Sequence, residues 1–147
     1  MQRKPGILAY LFLLLCSFSF PDRSGTLIIE LTNIKSAEGI IWIGIYDSEV
    51  NYMIKEKAIV EGFDVQQTGT LQMSISDLKY GTYALALFHD INGNGELDRN
   101  LIGIPSEPYA FSQKPKSKWR LPKFHEVKFD FVKSNQTLKA KLSKWWD

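Results

Sequence analysis

The residues with the clearest chemical potential lie in one short stretch, from Asp90 to Asp98. Gly95 stands at position six counted from Asp90, where an EF-type calcium loop makes its sharp turn. Calcium binds six to eight hard oxygen ligands, and alternating side chains on a tightly curved backbone direct such oxygens to one centre. The stretch therefore predicts a calcium-type loop, with candidate ligands at Asp90, Asn92, Asn94, Glu96 and Asp98.

The match to a calcium loop is incomplete. Glu96 stands at position seven, which contributes a backbone carbonyl, and Asp98 at position nine, which often acts through water. Position twelve, where a bidentate Glu belongs, is Leu101. Glu107 is the candidate to supply the missing carboxylate if the chain folds back, and affinity is then expected to be weak, on the order of 10⁻⁴–10⁻³ M. The alternative is an Asn-Gly turn that needs no metal.

The same region offers a second kind of chemistry, hydrolysis. His89 beside Asp90 suggests a general base, and two of the loop carboxylates could act as the acid and base of glycoside cleavage. However, no serine lies in a nucleophile-elbow context, and His89 and His125, the two histidines, lack a zinc-ligand spacing. We therefore expect a non-catalytic binding or interaction module. A small extracytoplasmic hydrolase is the alternative, and a purely structural envelope protein is a third possibility.

The elements that must hold this loop are predicted to be β-strands. Apolar and polar residues alternate with period two in 71–76, 127–131 and 138–142, which places one face in a core and the other in water. Residues 26–32, 40–46 and 83–88 are more continuously apolar, as is typical of central strands. A weaker strand is predicted at 58–64 and a short helix at 49–57. The fold class is therefore all-β, an antiparallel β-sandwich of about seven strands.

Residues 89–125 form the exception to this pattern. They are rich in Gly, Pro, Asn and Ser and show almost no periodicity. Structureless segments of this length are uncommon in a compact domain and are usually functional, so this long loop is the expected seat of activity. Its aromatic residues Tyr109, Phe111 and Trp119 are candidates to dock on a glycan or an envelope protein, although ordinary packing in the core and the loop is the favoured interpretation.

The N-terminus predicts export. Residues 1–4 are basic, residues 7–16 are apolar and uncharged, and Ser17 and Ser19 suit a cleavage site. We expect a cleaved signal peptide at 1–19 and a single periplasmic or extracellular domain at 20–147. The apolar run is too short to span a bilayer, so no transmembrane segment is expected in the mature chain. Lipid attachment at Cys16 is less favoured, because Leu15 replaces the small residue that a lipoprotein signal requires.

Charge excludes one class of partner. The 18 basic residues include Arg3 and Lys4 of the leader, and without these two they equal the 16 acidic residues. A nucleic-acid-binding protein normally shows a clustered basic excess, so no nucleic acid is expected as a partner. At the C-terminus, Trp145 and Trp146 either anchor to a membrane interface or pack on the last strand.

Three segments carry a family resemblance. GTYA at 81–84, FHDINGNGELD at 88–98 and GIPSEPYAFS at 103–112 resemble the bacterial domain-of-unknown-function family 2141, over residues 26–142. The resemblance implies an exported protein, and the Gly-Thr-Tyr turn is similar to that of transthyretin-like β-sandwich domains, within the transthyretin/immunoglobulin-like class. It also favours Glu107 as part of the site. Ala110 departs from the family pattern, which tends to have Gly before Phe-Ser.

Overall fold

The computed structural model describes residues 23–147, so the predicted signal peptide and Cys16 lie outside the described part of the chain. Within it the backbone forms eight strands, a single 3₁₀ turn at Lys55–Lys57 and a short helix α1 at Phe124–Val127. The strands are β1 (Ser24–Ile34), β2 (Ile40–Tyr46), β3 (Ile59–Asp64), β4 (Gly69–Lys79), β5 (Gly81–Asp90), β6 (Tyr109–Phe111), β7 (Lys128–Phe131) and β8 (Gln136–Lys141).

The strands form two sheets. The smaller sheet has the order β4-β1-β8, and the larger has the order β3-β2-β5, with β6 and β7 both pairing along the far edge of β5. Every pairing is antiparallel except that of β1 with β8, which is parallel. The prediction of an all-β sandwich is confirmed, with eight strands where the sequence pattern predicted about seven.

The core lies between the two sheets and follows directly from the alternation along the strands. On β1, Leu27, Ile29 and Leu31 are fully buried while the residues between them are partly exposed. Burying a Leu or Ile side chain contributes about 1.5–3 kcal/mol, so alternate positions on each strand are enough to hold the sheets together. The opposing sheet supplies Ile41, Ile43, Ile45, Leu85, Leu87, Phe129 and Phe131.

Two local predictions turn out differently in the structure. The helix predicted at 49–57 is reduced to the 3₁₀ turn Lys55–Lys57, which buries no residue and so has no packing to stabilise it. The long loop contains strand β6, which sequence reasoning missed because three residues are too few to show an alternation. The weak strand predicted at 58–64 is observed as β3, at the edge of the larger sheet.

One end of the sandwich collects the segments of interest. Because β2 and β5 are antiparallel, the start of β2 at Ile40 pairs with the end of β5 at Asp90. The 91–108 loop leaves from this point and returns to β6, whose first residue, Tyr109, pairs with Phe88 of β5. We call this the loop end of the sandwich.

Candidate loop site

Asp90 is the organising side chain of the loop. It is fully buried, and its Oδ1 accepts hydrogen bonds from the backbone N–H of Gly93 (2.7 Å) and Asn94 (3.1 Å). Its Oδ2 accepts from the backbone N–H of Gly95 (2.8 Å) and from the indole N–H of Trp42 (3.1 Å). A carboxylate has about four lone-pair sites, so Asp90 is saturated by protein donors in this conformation.

The two glycines explain how the backbone reaches Asp90. Gly93 and Gly95 have φ angles of 73° and 79°, in the left-handed region that other residues adopt only at a cost. These turns direct successive backbone N–H groups at one carboxylate. The N–H groups together form a small anion-binding nest. The Asn-Gly spacing of the sequence is therefore used to wrap the chain around Asp90.

The surroundings of Asp90 favour its charged form. Burial on its own raises the pKa of this carboxyl group, but the N–H donors of Gly95, Trp42, Gly93 and Asn94 together lower the pKa below its usual value. Hydrogen bonds donated to a carboxylate stabilise its ionised state, and here they outweigh the cost of desolvation. Asp90 is thus a buried anion held by backbone and indole dipoles.

Glu107, where the chain returns from the loop, likewise accepts hydrogen bonds from backbone N–H groups. It is buried, with Oε1 accepting from the backbone N–H of Ile91 (2.9 Å) and Oε2 accepting from that of Asp98 (3.1 Å). One carboxylate therefore joins both ends of the 91–98 segment across the loop. The side chain at position twelve, Leu101, is fully exposed and takes no part in closing it.

The side chains that remain near the surface are those of Asn92, Asn94 and Asp98. The Asn92 amide donates to Asp98 Oδ2 (2.7 Å), and the Asn94 amide donates to Asp98 Oδ1 (3.0 Å). The two amide oxygens accept backbone N–H groups two residues further along, at Asn94 (3.1 Å) and Glu96 (2.9 Å). Three oxygen-bearing side chains thus converge on the outer side of the loop.

The predicted ligands consequently fall into three groups. Asp90 and Glu107 are directed at backbone donors, Asn92, Asn94 and Asp98 contact one another, and the side chain of Glu96 is exposed. Among residues 23–147, no set of three or more His, Cys, Asp or Glu side chains is arranged to hold a metal ion. The outer cluster is the part of the predicted set whose side chains contact one another, through amide N–H groups donated to the Asp98 carboxylate.

His89 is not available to solvent. Its ring is buried, with Nε2 2.7 Å from the carbonyl oxygen of Glu38, and its backbone N–H donates to Pro108 (2.9 Å). Gly39, the residue after Glu38, packs against Asp90 so closely that a Cβ atom there would clash with the Asp90 carbonyl. His89 therefore joins the β1–β2 turn to the loop end and has no open side for a substrate.

Beyond Asp98 the chain forms a small projecting turn, which is the fold-back predicted from the sequence for Glu107 to reach the loop. Arg99 and Pro105 form a bridge at its base, and Asn100 Oδ1 accepts the backbone N–H groups of Ile102 and Ile104. At its tip Leu101 and Ile102 are exposed. The sequence signal for this turn is Asn100, because an Asn side chain readily takes the place of a backbone acceptor in a turn.

The aromatic residues of the long loop have two different environments. Tyr109 and Phe111 are partly buried and contact each other edge to face, with ring centroids 5.9 Å apart. Trp119 is 79% exposed, and its ring lies 5.5 Å from that of Trp145. Only Trp119 of these three presents a large aromatic surface to solvent.

The comparison with known families decides the relationship that the loop motifs suggested. A family model described as "Uncharacterized protein conserved in bacteria (DUF2141)" matches residues 29–139. The chain belongs to the DUF2141 family. The matched range of this DUF2141 domain runs from β1 to β8 and includes the whole loop. No curated protein and no solved structure gives a significant match. In residues 23–147 of the domain, no helix is long and apolar enough to cross a membrane.

Proposed function

We propose that this DUF2141 protein is an exported, non-catalytic binding module whose functional part is the 90–107 loop, and that the loop binds calcium weakly. The observation that carries the proposal is the convergence of Asn92, Asn94 and Asp98 on the outer side of a loop held by two buried carboxylates. A rigid support under a cluster of polar side chains that carry oxygen atoms is the arrangement that a binding site requires.

The contacts of Asp90 refine which residues would bind the ion. Asp90 has a protein donor on every acceptor site, so it would act by holding the loop in shape rather than as a ligand. Asp98 has one amide donor on each oxygen and retains acceptor capacity on both. Calcium would be bound by Asp98 and completed by water, and the Asn92 and Asn94 amides would have to turn so that their oxygens replace the N–H groups that now face Asp98. Few protein ligands and one charge imply low affinity.

The alternative of a small hydrolase has less support. A general base must reach the proton that it removes, either directly or through one water. His89 is buried and directed at Glu38, and Asp90 is buried and saturated. In the non-catalytic proposal the physiological partner is an envelope protein or a glycan.

Thermal unfolding tests calcium binding directly. The melting temperature of residues 20–147 is compared in EDTA, millimolar calcium and millimolar magnesium. Calcium at tenfold excess over Kd stabilises the folded state by about 1.4 kcal/mol. We expect calcium to raise the melting temperature of the wild type and to leave that of Asp98→Asn unchanged. The matched control is Asp77→Asn, an exposed Asp on β4 near the opposite end of the sandwich.

The variants also separate binding from loop support. Asp98→Asn should keep the stability of the wild type in EDTA and lose the response to calcium, whereas a loss of both would indicate a structural role for Asp98. If wild type and Asp98→Asn respond identically to calcium, or the wild type does not respond, the loop is a metal-independent Asn-Gly turn and the calcium proposal is wrong.

A further inference from the structure

A cluster of indole rings and lysines lies outside the loop site. Trp119 and Trp146 are 79% and 60% exposed, and Trp145 packs edge to face against Trp119. Lys118 Nζ donates to the carbonyl oxygen of Trp145 (3.3 Å), and Lys144 Nζ lies 5.4 Å from the centre of the Trp146 ring. We call these five residues the tryptophan patch.

The topology places the tryptophan patch at the loop end of the sandwich. Tyr109 and Ser143 form an antiparallel bridge, with reciprocal backbone hydrogen bonds. Since β6 runs away from the loop end, the chain after Ser143 runs back towards it. The chain turns directly after this bridge, where the backbone N–H of Asp147 donates to the carbonyl oxygen of Lys144 (3.2 Å), so Trp145 lies two residues beyond the partner of Tyr109.

Basic residues outnumber acidic residues around the patch. The loop segment 113–123 contains Lys114, Lys116, Lys118, Arg120 and Lys123 and no acidic residue. Arg120 is engaged by a bidentate pair with Glu126 (2.7 and 2.8 Å), so it adds little net charge. The acid within 143–147 is Asp147, whose Oδ2 accepts the backbone N–H of Lys144 (2.8 Å). The lysines thus leave the rings in a positive field.

We propose that the tryptophan patch docks the protein on a bilayer surface that carries anionic headgroups. Indole rings favour the membrane–water interface because they are apolar but carry a polar N–H. Lysines near an anionic surface add about 1 kcal/mol each, or roughly fivefold in affinity. A sugar site would instead surround its rings with amide and carboxylate groups, whereas the charged group that lies over a ring here is the ammonium of Lys144, over Trp146. The proposal rests on the protein being a binding module, but not on calcium.

Vesicle sedimentation in EDTA tests the docking. Residues 23–147 contain both sheets and their core, so the chain 20–147 is used, which also removes the apolar leader run that would itself enter lipid. The probes are phosphatidylcholine vesicles with and without about a third of phosphatidylglycerol. We expect binding to the anionic vesicles, a blue shift of tryptophan fluorescence, and release by salt.

Three variants locate the contact. Lys118→Glu/Lys144→Glu should weaken binding at least about 25-fold, at fivefold for each lysine removed, and Trp119→Ala/Trp146→Ala about tenfold from lost apolar contact. The matched control is Lys55→Glu/Lys133→Glu, which makes the same charge change at exposed lysines of the 3₁₀ turn and of the turn after β7, at the end of the sandwich opposite the loop end, and should change binding less than about threefold. Melting temperatures confirm that each variant is folded.

The proposal is overturned if the wild type does not bind anionic vesicles, or if the control weakens binding as much as the patch variants. Binding of an anionic polysaccharide that depends on Trp119 and Trp146, without vesicle binding, would also overturn it and would assign the patch to a glycan. Because EDTA is present throughout, a failure to bind vesicles does not bear on calcium binding, which the thermal unfolding experiment tests separately.

Discussion

The indole N–H of Trp42 donates a 3.1 Å hydrogen bond to Asp90 Oδ2 across neighbouring strands of the larger sheet. Trp42 lies on β2 and Asp90 ends β5, at positions two residues apart in the pairing register. Asp90 is the residue at which the loop leaves the sheet. The hydrogen bond therefore fixes the start of the loop through Trp42, a side chain of the neighbouring strand β2. The shape of the loop therefore depends on the register between β2 and β5.

Asp90→Asn should destabilise the protein while leaving the fold intact. The amide that replaces one carboxylate oxygen would face N–H donors and leave them without an acceptor, at a cost of about 1–3 kcal/mol. Chemical unfolding in EDTA measures the loss. Asp98→Asn is the control, because Asp98 accepts from exposed amides, and we expect it to change stability by less than about 1 kcal/mol. Equal losses in both variants would contradict the supporting role of Asp90.

The contribution of Asp90 should depend on pH in one direction. Its pKa in the folded protein is lowered, while in the unfolded chain it is about 3.9. The folded state thus binds fewer protons, so the stabilisation is present above about pH 4 and is lost as the pH falls through the folded pKa. The difference in unfolding free energy between wild type and Asp90→Asn should shrink as the pH falls below about 4. A difference that stays constant would contradict the lowered pKa.

Glu107→Ala should loosen both ends of the 91–98 segment. Removal of the carboxylate takes the acceptor from the backbone N–H of Ile91 and of Asp98. Hydrogen exchange at these two amides should become about fivefold faster, since one net hydrogen bond contributes on the order of 1 kcal/mol. Glu96→Ala, which removes an exposed carboxylate from the same loop, should leave these rates unchanged. Equal rates in both variants would show that Glu107 does not close the loop.

Gly39→Ala should be more harmful than Gly69→Ala. Both glycines have a positive φ, so each substitution carries a backbone cost of about 1–2 kcal/mol. A Cβ atom at Gly39 also meets the Asp90 carbonyl, whereas one at Gly69 has no neighbour within 4 Å. Unfolding free energies should differ by about 1–3 kcal/mol, the range typical of overpacking. Equal losses of unfolding free energy would contradict a close contact between the β1–β2 turn and Asp90.

Much of the fold follows from local pattern. Alternation of apolar and polar residues identifies the faces of β4, β7 and β8, because successive side chains on a strand point to opposite sides. The loop was located from its Asn, Asp and Gly residues, whose turn preferences are local as well. Strand β6 escaped prediction because a three-residue strand owes its existence to the edge of β5 that it pairs with, not to its own sequence.

Local sequence pattern predicts an all-β sandwich and a polar loop that leaves the sheet at Asp90. It also points to Glu107, although as a calcium ligand, which stays a prediction. The folded chain alone shows that Asp90 and Glu107 are buried against backbone donors, that Trp42 reaches Asp90, and that Trp119 meets Trp145. These partners are far apart along the chain, and strand register and the return of the loop bring them together, so no local period encodes their contacts.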